Sequence, residues 1–249
     1  MIKYLIRAIK NRFFFLKYLP LFISQYLEFK RSGGVIFRVH PVLSDFFQEA
    51  GTASGHYFHQ DLLVASFIFD NKPVRHIDIG SRIDGFVAHV ASFRHIEVMD
   101  VRSLRPTGHE NISFIIGDLM NGLNLGGGEV ADSISCLHAI EHFGLGRYGD
   151  AIDPVGHIRG FNNIIKLLKI GGVLYISIPI GSISAVHFNA HRIFHPRDIL
   201  TWCADPSILK LERFDFVDDD GGLNRNVNCD LDRLEVHFGC GIYTFRRMR

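Results

Sequence analysis

The sequence predicts an α/β fold: a doubly wound, mostly parallel sheet with a C-terminal antiparallel strand pair. Three observations carry this. Short apolar runs alternate with helix-patterned segments through the middle of the chain, as parallel sheets with crossover helices require. One run ends in Asp78-Ile79-Gly80-Ser81, and the next ends in an acid, Asp100, about twenty residues on; this is the spacing of a βαβ unit. Hydrophobic residues make up 47% of the 249 and charged residues 21%, which supplies a large core and argues against disorder.

The elements follow in order. Val74–Ile79 is the first strand, and Gly85–Ser92 begins the helix after it. Ile96–Asp100 is the second strand. Ile112–Ile116 is the third, ending at Gly117-Asp118, and Ala131–Leu137 is the fourth. Phe161–Leu168 reads as a helix closed by Gly171 and Gly172, glycine being the usual residue past a helix end. Val173–Ile178 is the fifth strand, stopped by Pro179, whose ring removes a ladder donor. Leu211–Val217 and Val236–Phe245 form the antiparallel pair, with a polar loop from Asp218 to Asp232 between them. No internal repeat or low-complexity tract is present.

Charge and cysteines exclude several classes. A net charge of +1 gives no basic surface for nucleic acid. Cys136, Cys203, Cys229 and Cys240 show no paired spacing, so they read as reduced thiols in a cytoplasmic protein rather than a disulfide framework. The chain divides into a basic helical extension, residues 1–50, and a main domain, residues 51–249. In the extension, Ile2, Leu5, Ile6, Ile9, Phe13 and Leu16 recur at helical spacing with Lys3, Arg7, Lys10 and Lys17 on another face. Lys17, Pro20 and Glu28 interrupt any run long enough to span a bilayer. A basic amphipathic helix of this kind suits a membrane surface; packing on the domain's own core is the alternative. Residues 1–31 are thus expected to touch a membrane, peripherally and on its inner face.

The stretch from Arg75 to Gly85, RHIDIGSRIDG, is the most informative in chemical terms. Glycine lets the backbone approach a ligand, and an acid at the tip of the second strand accepts hydrogen bonds from ribose hydroxyls. Asp100 is that acid. Gly80 and Ser81 form the close-approach turn, and Asp78 either lies against the ligand or braces the turn.

The five-strand run resembles a class I S-adenosylmethionine-dependent methyltransferase, over about residues 55–200. The motifs are Asp78-Ile79-Gly80-Ser81, Asp100, Gly117-Asp118, and the helix-Gly-Gly-strand-Pro segment LLKIGGVLYISIP, Leu167–Pro179. HYFHQDLLVA, DIGSRIDGFVAH, HAIEHFGLGRYGD and FNAHRIF are also similar to an uncharacterised family, domain of unknown function 268, itself methyltransferase-like. The resemblance implies a Rossmann-like methyltransferase fold and S-adenosylmethionine as cofactor. It places Asp78, Gly80 and Ser81 at the methionine end, Asp100 at the ribose and Asp118 at the adenine. One departure stands out: Arg82 and Asp84 fall between Gly80 and Gly85, where the family's glycines are more closely spaced.

After the fourth strand comes His138-Ala139-Ile140-Glu141-His142. On a helix, His138 and His142 would share a face with Glu141 close by. Three uses compete: a general base for a hydroxyl acceptor, a divalent metal, or polar groups that shape the loop. The base is preferred, with His142, Glu141 and His138 as the catalytic set and no metal assigned. The spacing also fits a peptidase motif, H-x-x-E-H, but that motif needs a long helix. The glycine-rich stretch that follows, Gly144–Asp150, offers Arg147, Tyr148 and Asp150 to an acceptor, and His191 is expected to line the same pocket. His187, His191 and His195 are four apart, yet Pro196 argues against a helical metal ladder.

The expected activity is methyl transfer from S-adenosylmethionine to an oxygen or nitrogen acceptor, a small molecule or a lipid-linked, sugar or quinone-like one. The alternative is a catalytically silent protein of the same fold that binds a partner at a membrane surface.

Overall fold

A computed structural model describes residues 2–48, 50–122, 129–229 and 235–249, with backbone alone at residues 2–14 and 47. Two compact units are present, Met1–Ala53 and Ser54–Arg249.

The first unit is dominated by one helix, α1, Ile2–Arg31, followed by a short 3-10 turn at Ser44–Phe47. The rings of Tyr18 and Phe46 stack at 5.1 Å. Among the described residues no helix is long and apolar enough to cross a membrane. The side chains of the amphipathic pattern from Ile2 to Phe13 lie outside the described residues. Beyond them Leu16, Ile23, Leu27 and Phe29 are exposed.

The second unit is built on an eight-stranded sheet. Its strands are β1 (His76–Ile79), β2 (Ile96–Asp100), β3 (Ile112–Ile116), β4 (Ala131–Leu137), β5 (Leu168–Ile180), β8 (Leu209–Val217), β9 (Leu223–Asn224) and β10 (Gly239–Arg247). Their spatial order is β3-β2-β1-β4-β5-β10-β8-β9. The first five are mutually parallel, and β10 runs antiparallel to both β5 and β8. A separate hairpin pairs β6 (Ala185–His187) with β7 (His191–Ile193). Chain order reverses between β1 and β4, so their C-terminal ends open the crevice where ligands bind in such sheets.

Both faces of the sheet are covered. On one, Ile77, Ile79, Ile134, Cys136 and Ile176 pack with Phe161 and Ile164 of α4, Gly156–Leu167. On the other, Val98, Leu137 and Tyr175 pack with Val64 and Ile68 of α2, His56–Asn71, and with Val90 of α3, Ala88–Ala91. The second face carries a buried polar ladder that a hydrophobic-run reading does not anticipate. His76 Nδ1 lies 2.6 Å from Ser133 Oγ, and Ser135 Oγ donates to Asp78 at 2.6 Å. Because Ser135 spends its proton on Asp78, His76 Nε2 must donate to Ser135 Oγ, 3.1 Å away. Burial pushes His76 down to about 3, so it stays neutral.

The predicted elements need several corrections. The helix after β1 starts earlier, as a π turn over Ile83–Val87 that continues into α3. The helix read as Phe161–Leu168 starts five residues sooner, at Gly156. Gly171 and Gly172 lie inside β5 rather than past a helix end. Pro179 does not stop β5, because β4 pairs only as far as Leu137↔Ser177. Pro179 faces that side, where its missing N–H has no strand to serve, and its carbonyl accepts from Phe194 N instead. The polar loop holds β9, and its last residues, 230–232, lie outside the described ones, as do 233 and 234. No disulfide joins the cysteines; all four are buried.

Candidate functional site

The turn after β1 is set by Asp78 and Gly80. Asp78 is fully buried and accepts Ser81 N–H at 3.1 Å and Ser81 Oγ at 2.7 Å. Ser81 Oγ in turn accepts Leu137 N–H at 3.2 Å, stitching the turn to β4. Burial raises the Asp78 carboxyl to about 6, against the serine hydrogen bonds that favour its charge. Its oxygens point into the core, so its place is under the turn, not on the cavity wall. Gly80 has φ +67, and a Cβ there would stand 3.0 Å from Ala139 Cβ. The backbone comes close to β4 only because the side chain is missing.

Asp100 ends β2 with its side chain 14% exposed. Arg102 forks onto it, Nε to Oδ1 at 2.9 Å and Nη2 to Oδ2 at 2.7 Å. The Arg102 guanidinium also lies 4.5 Å from the Tyr148 ring centre. Asp118, after β3, accepts Met120 N–H at 2.8 Å and Asn121 Nδ2–H at 2.7 Å.

His138, Glu141 and His142 come together, though not on a helix. His138 sits at φ +49, a left-handed kink that ends β4, and only a 3-10 turn follows, Ile140–His142. The helical-face expectation is therefore corrected: Glu141 is the centre, not one face of a turn. Its Oε1 lies 2.9 Å from His138 Nδ1 and 3.7 Å from His142 Nε2. His142 Nδ1 lies 2.7 Å from the Ala190 carbonyl, which can only accept. The proton of neutral His142 thus sits on Nδ1 and leaves Nε2 basic. Burial lowers the His142 pKa, partly offset by Glu141.

The loop after this turn is held by Asp150, which accepts N–H from Gly144 (2.8 Å), Gly146 (3.3 Å) and Tyr148 (3.1 Å). Arg147 Nη1 donates to Ala190 O at 2.8 Å, the carbonyl that also holds His142. Tyr148 meets the His142 ring edge-on at 5.6 Å. His187 and His191 face each other across the β6–β7 hairpin, with ring centres 5.0 Å apart, so the four-residue spacing is a hairpin register and not a helical ladder.

These groups line one cavity of about 690 Å³. Gly80, Ser81, Asp100, His138, Glu141, His142, Arg147, Tyr148 and His191 all reach it. A smaller recess of about 60 Å³ adjoins it between Met99, Leu119 and Asp118, and Asp150 borders that recess. Of the residues the sequence assigns to cofactor, catalysis or acceptor, Asp78 borders neither. Sequence reading missed Arg102, His56 and Phe238, which also line the cavity. It missed Arg192 too, which is 3% exposed and ties the Phe143 and Glu141 carbonyls to β7 at 2.6 and 3.2 Å. Only Arg102 had a local signal, its position two residues past Asp100. Arg82 and Asp84, the departure from the usual loop, pair with each other at 3.0 Å, and Arg82 lies over Tyr57.

Comparisons with known proteins agree on the fold. A family model described as Caenorhabditis protein of unknown function, DUF268, matches residues 128–200. No curated protein matches the chain. Among solved structures, the N-methyltransferase NodS from Bradyrhizobium japonicum WM9, in complex with S-adenosyl-L-homocysteine, superposes with TM-score 0.51 at 16% identity, over 78% of this chain and 89% of that one. The [4+2]-cyclase SpnF gives 0.56 at 16% identity, over 90% and 92%. The Burkholderia thailandensis 1,6-didemethyltoxoflavin-N1-methyltransferase, with its substrate and S-adenosylhomocysteine, gives 0.51 at 13% identity, over 94% and 90%. At such identities the likeness is one of fold: the second unit has the Rossmann-like fold of these methyltransferase structures, with antiparallel strands at its C-terminus.

Proposed function

We propose that this protein transfers a methyl group from S-adenosylmethionine to an oxygen or nitrogen acceptor. One observation carries the reading. Asp100 and Asp118, from the tips of β2 and β3, line two adjoining cavities together with the Gly80 turn and a histidine whose Nε2 is free to take a proton. Solved neighbours of the same fold hold S-adenosylhomocysteine, which supports the cofactor.

The residues fit that cofactor. The Gly80 turn is left-handed and packs tightly on Ala139, where a Cβ would stand 3.0 Å away, and it borders both cavities, so its backbone can approach a ligand. The recess beside Leu119 combines apolar Ile79, Met99 and Leu119 with the carboxylates of Asp100, Asp118 and Asp150, so it offers a purine both an apolar wall and acceptors for its amino hydrogens. Asp100 would accept ribose hydroxyls, sharing its carboxylate with Arg102. When bound, S-adenosylmethionine supplies an electrophilic methyl on a sulfonium. The chain's own part is to position the acceptor and remove its proton, and positioning supplies most of the acceleration in such transfers. His142 Nε2 is the proton acceptor. The Ala190 carbonyl orients His142 and Glu141 orients His138, while Glu141 Oε1, 3.7 Å from His142 Nε2, stabilises the imidazolium that forms. Arg147, Tyr148 and His191 border the acceptor side, and Asp150 holds the loop that presents them.

A second reading has its own observation. Arg102 already occupies both oxygens of Asp100. If that pair does not open, the domain is a catalytically silent binding protein. Incubating the full chain with S-adenosylmethionine and cell extract, then tracking the label by mass spectrometry, separates the two. A methylated product supports the enzyme, whereas cofactor binding without any product supports the silent reading.

The exposed apolar residues of α1, together with Lys17, Lys30 and Arg31, support membrane-surface contact through residues 1–31. A lipid-linked or quinone-like acceptor would then be met at the cytoplasmic face.

A further inference from the structure

A second cluster of side chains lies beside Glu141, contributed by three distant parts of the chain. His56 opens α2, His138 ends β4, and Cys240 is the second residue of β10. One donor atom from each lies within 4.8 Å of the other two. We propose that His56, His138 and Cys240 form a three-ligand site for a transition-metal ion, zinc above all, whose fourth position opens on the cavity.

The donors are close, and the His56 and His138 rings lie nearly parallel with centres 5.4 Å apart, so an ion would draw them in and turn them. The His138 side chain is 7% exposed, and its Nδ1 is held by Glu141 at 2.9 Å. Its other nitrogen, Nε2, is buried without any partner. A polar atom in that state forfeits a hydrogen bond it had in water, and a metal would satisfy it. The His56 ring packs against the Phe238 ring, with centres 5.5 Å apart. Carboxylate and carbonyl groups behind ligating histidines are the usual supports that fix ring orientation and tautomer at metal sites. Cys240 is fully buried; its thiol lies 3.6 Å from Gln60 Oε1, a weak partner for a thiol, and also faces the His138 ring.

The donor set selects the ion. A thiolate with two imidazoles suits zinc, whereas magnesium and calcium take oxygen ligands. Zinc–sulfur and zinc–nitrogen bonds of about 2.3 and 2.0 Å put neighbouring donors about 3.5 Å apart, so the three side chains draw in by at most about an ångström. Three protein ligands leave a coordination position open, the pattern of reactive rather than purely structural zinc. His56 and His138 both line the cavity, so that position faces it. Water, or an oxygen, nitrogen or sulfur atom of the acceptor, would complete the sphere; only the acceptor's role there rests on the methyl-transfer reading.

The test needs neither cofactor nor acceptor, so its outcome is separate from that reading. Metal-free full-length protein is titrated with Co²⁺, then with Zn²⁺ as competitor. The expected result is one equivalent of cobalt with a thiolate-to-cobalt absorption band, displaced by zinc. Cys240→Ser removes the band and Cys203→Ser leaves it. Glu141→Gln, which breaks the support behind His138, weakens cobalt binding by about 10- to 100-fold. Absence of stoichiometric binding overturns the proposal, as does a band that survives Cys240→Ser. Should Cys240→Ser not fold, His56→Ala takes its place: it must lose tight cobalt binding, and retention of parental affinity overturns the site.

Discussion

Asp78→Asn isolates the energetics of the turn that carries the site. Burial raises the Asp78 carboxyl from 3.8 to about 6. A shift of about two units corresponds to roughly 3 kcal/mol between the two protonation states. The sign follows from proton counting. Between about pH 4 and pH 6 the folded protein keeps a proton that the unfolded chain has released. The stabilising contribution is therefore full below the unfolded value and is lost as pH rises through the folded one. Above that, the folded state carries a buried ionised carboxylate. Asparagine never ionises, but its one oxygen can replace only one of the two acceptors that Ser81 N–H and the Ser81 and Ser135 hydroxyls use, a fixed cost that does not vary with pH. Relative to the parent, Asp78→Asn should thus gain about 3 kcal/mol of stability between about pH 4 and pH 7. His76, with the opposite shift, is common to both proteins and cancels in the difference. Urea denaturation of both at several pH values measures it. A difference that does not change with pH, or that favours the parent more at pH 7, would refute the burial argument.

Gly80→Ala should destabilise the domain by about 1–2 kcal/mol through its left-handed backbone and should also weaken cofactor binding, because the new Cβ meets Ala139; an unchanged melting temperature and affinity would contradict the close approach. His142→Ala should lower turnover by about 10²–10⁴ with cofactor affinity intact. In the parent the rate should fall with acidification, as Nε2 protonates, but below the ordinary histidine range because burial lowers its pKa; a folded variant with parental turnover removes the base assignment. Deleting residues 1–31 should release the protein from anionic liposomes in sedimentation while the circular dichroism of the remainder persists. Equal sedimentation of the truncated chain would show that α1 is not the contact.

The parallel half of the sheet was legible because each strand is a short apolar run ending in a polar tip, and Asp100 and Asp118 sit at those tips as the spacing implies. The place of β10 between β5 and β8 was not legible, since a pairing so distant along the chain leaves no local pattern. His138 misled for a different reason: a left-handed residue at a strand end reads, in one dimension, like the start of a helical turn. The hairpin that sets His187 against His191 mimics helical periodicity in the same way. His76 and Asp78 interrupt a buried strand, and only the facing serines of β4 explain how they are satisfied. The His56–His138–Cys240 cluster has no spacing signature at all, because α2, β4 and β10 meet only in the folded sheet.

Methyl transfer, as proposed above, depends on the cleft between Asp100, Asp118 and the Gly80 turn holding the cofactor. Calorimetric titration of the full chain with S-adenosylhomocysteine tests this directly. One molecule should bind per chain, and Asp100→Ala should weaken binding by about 1.5–3 kcal/mol, the scale of a charge-assisted hydrogen bond. No binding by the parent, or an affinity that Asp100→Ala leaves unchanged, would contradict it.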